Sequence, residues 1–388
     1  MVIDAHMHTF PCLENQYGDR DLKTQNMYLQ RFVASSPAAS VRRLRDNQIV
    51  TDKSLYSLWD DNDKTPTGAY DVSFHAGKFG RLEWHKGGET YYIPLYAPNM
   101  QRLESTPEFL IAQMNYAGVD VGILQNAFLY GDLNDYIAEA VKKYPNRFIG
   151  TIQVNESIAY QQTEISKLKK YALNFGLKAI YFANERFFEN GFSIQFDDEI
   201  FDPFWSTVRE LSLPVFWDIT AITEKGDDVT LSAFERFMKQ MYRLESWHKR
   251  FPEIPCILVH GVPLRNIRVK DSFVPISQDL WQIWKRENMY LELLFPMQVS
   301  HPVPGGSIWD YPYTETHPLI ADLLSHLGAQ KLIWGTDLPN TERNCTYAQA
   351  KNYIDRHCPL LSPEDKKLIF GENVKRVFKL NQQSELYK

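Results

Sequence analysis

Short, almost unbroken apolar runs recur along the chain, and longer stretches of mixed polar and apolar residues separate them. Each run is four to eight residues long and rich in Val, Ile, Leu or aromatic side chains. Continuous apolar strands are typical of a parallel sheet that is covered on both faces. The pattern predicts eight strands, at residues 2–5, 119–125, 147–154, 177–182, 214–219, 256–260, 289–295 and 332–335.

Helix signals fill the intervals between these strands. Thr106, Pro107 and Glu108 combine an N-cap residue, a proline in the first turn and an acid behind it, which favours a helix start. Amphipathic spacing and similar start signals predict further helices over 157–174, 230–251, 347–356 and 362–380.

Eight strands, each followed by a helix, predict an α/β protein with a (β/α)8 barrel of the TIM type. A doubly wound open sheet is the main alternative, but it usually has fewer strands and a glycine-rich turn after the first strand. The run His6-Met7-His8 behind the first predicted strand contains no glycine. The barrel is therefore the preferred interpretation.

One long segment interrupts the repeat. Residues 11–105 separate the first strand from the first helix signal, which is too far for an ordinary loop between a strand and a helix. We therefore expect a barrel of residues 1–10 and 106–388 with an insertion of residues 11–105, and a glycine pair at 87–88 predicts a β-hairpin inside it. Because loops after barrel strands lie at the catalytic face, the insertion is interpreted as a lid or pocket wall, or as a dimer contact.

Composition and charge narrow the classes of protein. The 388 residues include 42 Lys+Arg and 48 Asp+Glu, which gives a formal net charge of −6, and 44% are hydrophobic. These values describe an ordinary globular protein, and the acidic balance argues against a nucleic-acid partner. Neither a run of roughly 18 apolar residues nor a signal peptide is found. The four cysteines are scattered, so we expect a reduced, cytoplasmic protein without a membrane partner.

Residues that can bind a metal follow three of the predicted strands. His6 and His8 follow the first strand, and both imidazoles can reach one ion because alternate residues of an extended chain share a face. His260 ends the sixth strand, and Asp337 follows the eighth. The carboxyl ends of barrel strands share one rim, so the sequence predicts a metal site there. Imidazole and carboxylate ligands suit Zn²⁺, and also Mn²⁺ or Fe²⁺.

In this order, the HxH motif, the histidine after the sixth strand and the Gly-Thr-Asp-Leu-Pro run at 335–339 resemble the amidohydrolase superfamily. They are most similar to its amidohydrolase-related branch, which contains aminocarboxymuconate-semialdehyde decarboxylase, aromatic-acid decarboxylases and hydrolases. The resemblance implies that His6, His8 and Asp337 bind the metal and that Asp337 also carries a proton. It implies a catalytic role for His260 as general acid or base, while metal ligation by His260 stays open.

The sequence departs from the pattern of this branch at the fifth strand. The branch usually has Pro-Val-x-x-His, whose histidine is a ligand, whereas this chain has Pro-Val-Phe-Trp-Asp at 214–218. Asp218 as a ligand would give two histidines and two carboxylates, a set that shifts the preference from Zn²⁺ toward Mn²⁺ or Fe²⁺. The alternative is that Asp218 only forms hydrogen bonds nearby. The usual carboxylated-lysine position falls at Tyr181, so a metal pair bridged by such a lysine is not expected.

Four further residues are candidate substrate contacts. Arg265 and Arg343, after the sixth and eighth strands, have the guanidinium geometry that holds a carboxylate. Glu292 interrupts the apolar seventh strand, and because an unpaired buried carboxylate is unfavourable, we expect it to point into the barrel toward a cation or the metal's surroundings. His301 lies in a long loop that can line the pocket. An ordinary surface position is the alternative for both arginines and His301.

Three functional hypotheses follow. The first is a metal-dependent enzyme, with zinc favoured, that hydrolyses or non-oxidatively decarboxylates a small carboxylate-bearing molecule, including an aromatic one. The second is hydroxylation by an iron- or manganese-dependent oxygenase on the same barrel, with which the carboxylate of Asp218 is compatible. The third is a catalytically silent metal-binding subunit, because one ligand is replaced. The resemblance implies a homodimer, and the third hypothesis implies a hetero-oligomer with a homologous chain.

Overall fold

The computed structural model of the chain describes residues 1–15, 17, 21–35, 39–224, 226–228, 230–299, 303 and 305–380, apart from the side chain of Arg265. The strands of these residues are β1 (Ile3–Met7), β2 (Arg42–Arg43), β3 (His75–Ala76), β4 (Arg81–Lys86), β5 (Glu89–Pro94), β6 (Val121–Leu124), β7 (Phe148–Ile152), β8 (Ala179–Ala183), β9 (Val215–Asp218), β10 (Cys256–Leu258), β11 (Arg268–Val269), β12 (Ser272–Phe273), β13 (Met289–Leu293) and β14 (Leu332–Trp334).

Helices follow most of these strands. They are α1 (Leu22–Ser35), α2 (Lys53–Tyr56), α3 (Pro107–Ala117), α4 (Asn134–Lys143), α5 (Gln162–Asn174), α6 (Asp202–Glu210), α7 (Ala233–Arg250), α8 (Leu264–Ile267), α9 (Gln278–Trp284), α10 (Phe295–Gln298), α11 (His317–Leu327), α12 (Tyr347–Asp355), α13 (Pro363–Lys367) and α14 (Asn373–Val377). In the described part of the chain, no helix is both long and apolar enough to cross a bilayer.

Eight parallel strands form a nearly closed barrel in the order β1-β6-β7-β8-β9-β10-β13-β14. The first and last strands meet where the Asp337 amide donates to the His6 carbonyl, and the His8 amide donates to the Leu338 carbonyl, both at 2.8 Å. All five residues of β1 are buried, as expected for a strand covered on both faces. The predicted (β/α)8 barrel is confirmed.

The packing between strands and helices follows from the apolar pattern. Trp217 of β9 is fully buried and packs against Trp205 of α6 and Trp247 of α7, with ring centroids 5.2 and 4.8 Å apart. The Thr106 hydroxyl caps α3 by accepting a hydrogen bond from the Phe109 amide at 3.2 Å, as the start signal predicts. The helices therefore cover the outer face of the barrel and leave the carboxyl ends of the strands free to carry polar residues.

The insertion between β1 and α3 folds into helix α1 and a four-stranded sheet with the order β2-β5-β4-β3. Gly87 and Gly88 join β4 to β5 with φ values of 59° and 79°, a conformation that favours glycine. This turn confirms the predicted hairpin. Helix α1 contacts the barrel through Arg31, whose Nη2 lies 3.0 Å from Oε1 of Glu185.

Candidate metal centre

Three side-chain atoms converge where β1 and β14 end at the rim of the barrel. His6 Nε2 lies 3.0 Å from His8 Nε2, and Asp337 Oδ1 lies 3.5 and 3.1 Å from these two nitrogens. All three residues are buried. Ligands of one metal ion lie about 3 Å apart when the bonds to the ion are about 2.0–2.2 Å long. The triangle therefore has the size of a metal-binding site.

The hydrogen bonds behind the two histidines fix which ring nitrogens face this triangle. Nδ1 of His6 lies 2.9 Å from Oε2 of Glu292, and Nδ1 of His8 lies 3.0 Å from the carbonyl oxygen of Gln125. Both partners are acceptors, so each Nδ1 carries a hydrogen, and a neutral ring then presents a lone pair at Nε2. When both rings are neutral, two lone pairs and the Asp337 carboxylate face each other, and this arrangement fits a divalent metal ion.

The electrostatics of the centre also favour a cation. Burial alone lowers the pKa of His6, but the charges of Glu292 and Asp337 outweigh it and raise that pKa to about 9. Burial would raise the pKa of Asp337, yet His6, His260 and His8 hold it well below its usual range. The carboxylate of Asp337 is therefore ionised at neutral pH and available to a metal ion.

Glu292 lies behind His6 and is fully buried in β13. Its Oε1 accepts from Nε2 of Gln125 at 3.0 Å, and its Oε2 accepts from the backbone amide of His260 at 3.1 Å. Glu292 is not among the residues that line the cavity above the centre. Its contacts place it in the metal's surroundings, as expected, where it orients His6, and its contact with substrate stays a prediction.

The Glu292→Gln variant is expected to bind Mn²⁺ about 10- to 100-fold more weakly than the wild type, in line with losses of partners behind metal ligands. The amide cannot match both the negative charge and the acceptors that His6, Gln125 and His260 use. Isothermal titration with Mn²⁺ measures this change. Glu83→Gln is the matched control, because Glu83 is a buried acid of the insertion paired with Arg81 at 3.0 Å. Equal affinities of Glu292→Gln and the wild type would contradict this role.

Asp4 is a second buried carboxylate behind the centre, and the sequence analysis missed it as a supporting residue. It accepts hydrogen bonds from the Thr336 and Tyr347 hydroxyls at 2.6 and 2.9 Å and from the His6 amide at 3.0 Å. Burial raises its pKa to about 7, because desolvation outweighs these hydrogen bonds. Asp4 joins β1 to the turn that carries Asp337. An acid within an apolar strand is the sequence signal that could have identified it.

His260 lies between two carboxylates and faces the cavity, with 32% of its side chain exposed. Its Nε2 is 3.6 Å from Oδ2 of Asp337, and its Nδ1 is 3.6 Å from Oδ1 of Asp218. Donor atoms of His6, His260 and Asp337 lie within 4.8 Å of one another. The position of His260 is thus compatible with both predicted roles, as a metal ligand and as an acid or base beside the metal.

The backbone around His260 is conformationally unusual. His260 and Asp337 have φ values of 63° and 59°, in the left-handed region that few non-glycine residues adopt. Gly261 follows with φ of 54°, and a Cβ there would lie 2.0 Å from the Glu292 carbonyl oxygen. Only glycine fits this position, so the close approach of β10 to β13 helps to fix where His260 stands.

Asp218 ends β9 on the side of His260 that faces away from Asp337. Its Oδ2 accepts a hydrogen bond from the Tyr181 hydroxyl at 2.7 Å, and its buried Oδ1 has no hydrogen-bond partner in the described part of the chain. Its contacts favour a role in holding His260, and metal ligation by Asp218 stays a prediction.

The Asp218→Ala variant separates these two roles. Because its carboxylate contacts His260 and not the triangle, we expect the variant to retain one equivalent of metal while its turnover falls about tenfold or more. Metal analysis of the purified variant, together with its rate, gives the result. Loss of metal from the variant would instead establish Asp218 as a ligand.

A cavity of about 590 Å³ opens above the centre, and His8, Asp337, His260, Asp218 and Tyr181 line its floor. Its walls combine apolar and aromatic side chains with charged ones such as Arg31, Lys64 and Arg236, and they come from both the barrel and the insertion. They include Phe32, Leu95, Tyr96, Phe128, Phe192, Phe237 and Met297.

Arg343 also lines this cavity. Its Nε donates to the Asn340 carbonyl at 3.2 Å, and its buried Nη1 has no hydrogen-bond partner among the described residues. The predicted contacts by Arg265 and His301 cannot be placed, because the side chain of Arg265 and the whole of His301 lie outside the described residues.

A row of hydrogen-bonded polar side chains lies beside Asp337, and the connection between them was not predicted from the sequence. Nδ2 of Asn340 donates to Oδ1 of Asp337 at 2.8 Å and to the Tyr130 hydroxyl at 3.3 Å, and the Tyr96 hydroxyl donates to that of Tyr130 at 3.3 Å. Burial raises the pKa of Tyr96 and of Tyr130, so both hydroxyls keep their protons at neutral pH. No local sequence signal predicts these hydrogen bonds, because the residues that form them come from three distant segments.

The chain is a (β/α)8 barrel, and its first and last strands bring two histidines and an aspartate to one rim. This combination is typical of a class of metal-binding enzymes. The amidohydrolase family model matches residues 3–380, and the chain belongs to this family. The resemblance inferred from the motifs is thereby confirmed. A search of curated proteins finds no match to the chain.

Solved structures with the same fold include 2,6-dihydroxybenzoate decarboxylase complexed with 2,6-dihydroxybenzoate, at 17% identity and a TM-score of 0.52, covering 72% of this chain and 90% of that one. Dihydroxybenzoic acid decarboxylase from Polaromonas sp. JS666, with bound manganese and 2-nitroresorcinol, is 17% identical with a TM-score of 0.51. That match covers 74% of this chain and 90% of that one. A probable 2-pyrone-4,6-dicarboxylic acid hydrolase from Acinetobacter baumannii is 17% identical with a TM-score of 0.50. That match covers 71% of this chain and 90% of that one. At this identity the likeness concerns the fold.

Proposed function

We propose that this chain is a metal-dependent enzyme that removes the carboxyl group of a small aromatic acid without an oxidant. The observation that carries the proposal is the triangle of His6 Nε2, His8 Nε2 and Asp337 Oδ1 beneath a cavity that His260 enters. Two decarboxylases of dihydroxybenzoic acids share the fold, which supports this reaction class.

His6, His8 and Asp337 would hold the metal ion. When bound, the ion supplies a Lewis acid for the oxygens of the substrate. Two imidazoles and a carboxylate suit Zn²⁺ as well as Mn²⁺ and Fe²⁺. Zinc is the metal that the sequence analysis favours, and one structure of similar fold contains manganese. Metal analysis of the purified chain distinguishes these ions.

The chain's own residues handle the proton. In decarboxylation the bond between the ring and the carboxyl carbon breaks, carbon dioxide leaves, and the electron pair stays on the ring carbon, which then takes a proton. His260 is the residue placed to donate it, because its ring is partly exposed to the cavity and lies between Asp218 and Asp337. The two carboxylates each lie 3.6 Å from a nitrogen of this imidazole and orient its ring.

The insertion, residues 11–105, is proposed to form part of the pocket wall. Arg31 and Phe32 of α1, together with Leu95 and Tyr96, line the cavity beside barrel residues. Apolar and aromatic walls suit a planar ring. The predicted homodimer and the cytoplasmic location stay predictions.

The proposal is tested by incubating Mn²⁺- or Zn²⁺-loaded protein with a panel of hydroxybenzoates in D2O. We expect release of carbon dioxide from at least one acid, with deuterium on the ring carbon that carried the carboxyl group, and no consumption of oxygen. The His260→Gln variant should lose the release of carbon dioxide and the incorporation of deuterium, and it should keep its metal. Absence of carbon dioxide from every acid would contradict the proposal. Lactone hydrolysis by the same preparation would favour a hydrolase, and oxygen consumption with iron would favour a hydroxylase.

A further inference from the structure

We propose that the cavity has a second anion-binding position at Arg343, so that the substrate is an aromatic acid with two anionic groups. This inference rests on the proposed function, because that function places the reacting carboxylate at the metal centre. The second anion, a carboxylate in the simplest case, would bind the guanidinium of Arg343.

The contacts of Arg343 leave part of its guanidinium available. Nε donates to the Asn340 carbonyl at 3.2 Å, and Nη2 lies 3.8 Å from Sδ of Met297, a weak acceptor. Nη1 is buried without a hydrogen-bond partner among the described residues. The charge of Asp337 acts on Arg343, but Asp337 is one of the residues that would hold the metal ion. A ligand carboxylate supplies the acceptor that Nη1 lacks, because it matches the planar, two-pronged guanidinium, and a buried donor left without an acceptor is unfavourable.

The other arginines that line the cavity differ in how available they are to an anion. Arg31 has its partner in Glu185, with Nη2 to Oε1 at 3.0 Å, and its guanidinium lies over the ring of Trp59 at 5.4 Å. Arg236 donates through Nη1 to the Leu231 carbonyl, although its Nε is buried without a partner. Arg236 is therefore the rival position, and Arg31 is already neutralised.

Arg343 and the metal centre share one cavity and one neighbour. Asn340 contacts Asp337 through its side chain, at 2.8 Å, and Arg343 through its carbonyl, at 3.2 Å. Asp337, Asn340 and Arg343 all line the cavity of about 590 Å³. A benzene ring with two carboxylates is therefore the simplest ligand with which to test whether both positions are used together.

Binding measurements test this inference without requiring turnover. Mn²⁺-loaded wild-type protein is titrated calorimetrically with benzoate and with the 1,2-, 1,3- and 1,4-benzenedicarboxylates. We expect at least one diacid to bind about tenfold or more tightly than benzoate, because a charge-assisted bidentate contact is added. In Arg343→Met that preference should fall to within about twofold, while metal content and benzoate affinity stay as in the wild type.

Arg343→Gln is the second variant in case the methionine variant folds poorly, and Arg236→Met is the matched control, which should retain the preference for the diacid. The inference is overturned if no diacid binds more tightly than benzoate, if the Arg343 variants retain the preference, or if Arg236→Met removes it. Failure of the decarboxylation assay leaves this difference in binding unchanged, so the two proposals fail separately.

Discussion

Replacing both His6 and His8 by alanine is expected to reduce bound metal from one equivalent to less than about a tenth of an equivalent. The two imidazoles supply two of the three atoms of the triangle, and Asp337 alone is a weak ligand for a dilute divalent ion. Metal analysis after dialysis against a fixed free concentration of Mn²⁺ or Zn²⁺ measures this loss.

The chain provides a matched control for that double variant. His75 and His85 are another pair of neighbouring histidines, with ring centroids 6.2 Å apart in the sheet of the insertion. Their double alanine variant should keep one equivalent of metal. Retention of a full equivalent by the His6 and His8 variant would contradict the assignment of the site.

The Asp337→Asn variant should lower turnover by at least about a hundredfold on the aromatic acid identified by the screen. Asparagine keeps the shape of the side chain but loses the charge with which Asp337 is proposed to bind the metal and to accept a proton. The melting temperature should change much less, because the fold does not depend on that charge alone. Rates, metal content and melting temperature are measured together on the same preparation.

The surface variant Asp322→Asn is the control for this substitution, because Asp322 is exposed on α11. It should retain wild-type turnover. Near-wild-type turnover by Asp337→Asn would show that Asp337 is neither an essential ligand nor a proton carrier, and the proposed chemistry would lose its main support.

The eight barrel strands were predictable because a parallel sheet covered on both faces leaves an unbroken apolar run in the sequence. Every predicted strand overlaps an observed one, and the differences are confined to the ends, as at 119–125 against Val121–Leu124. Strand ends vary because the last residues leave the sheet for loops without a change in hydrophobicity.

Helix α1 of the insertion could not be predicted in the same way. Its buried face includes Gln25, Gln30 and Arg31, so burial and hydrophobicity do not coincide along it. Arg31 is buried because Glu185, more than 150 positions away along the chain, lies beside it. Such a partner is invisible to a pattern read along a single segment.

The candidate site was predictable where its residues sit in motifs at strand ends. His6, His8, His260 and Asp337 are brought together at one rim, as the barrel requires. The sequence also showed that the acid at 292 must have a partner, but it could not show that this partner is His6. The contacts of Asn340 with Asp337 and Tyr130 were not predicted, because they join loops that meet only in the folded barrel.

The central claim is that His6, His8 and Asp337 form one metal-binding site, and a crystal structure of the Mn²⁺-loaded chain tests it most directly. Anomalous difference maps recorded above and below the manganese absorption edge locate the ion. We predict one strong peak within about 2.0–2.4 Å of Nε2 of His6, Nε2 of His8 and a carboxylate oxygen of Asp337. A fully loaded crystal with no peak among these three atoms would contradict the account.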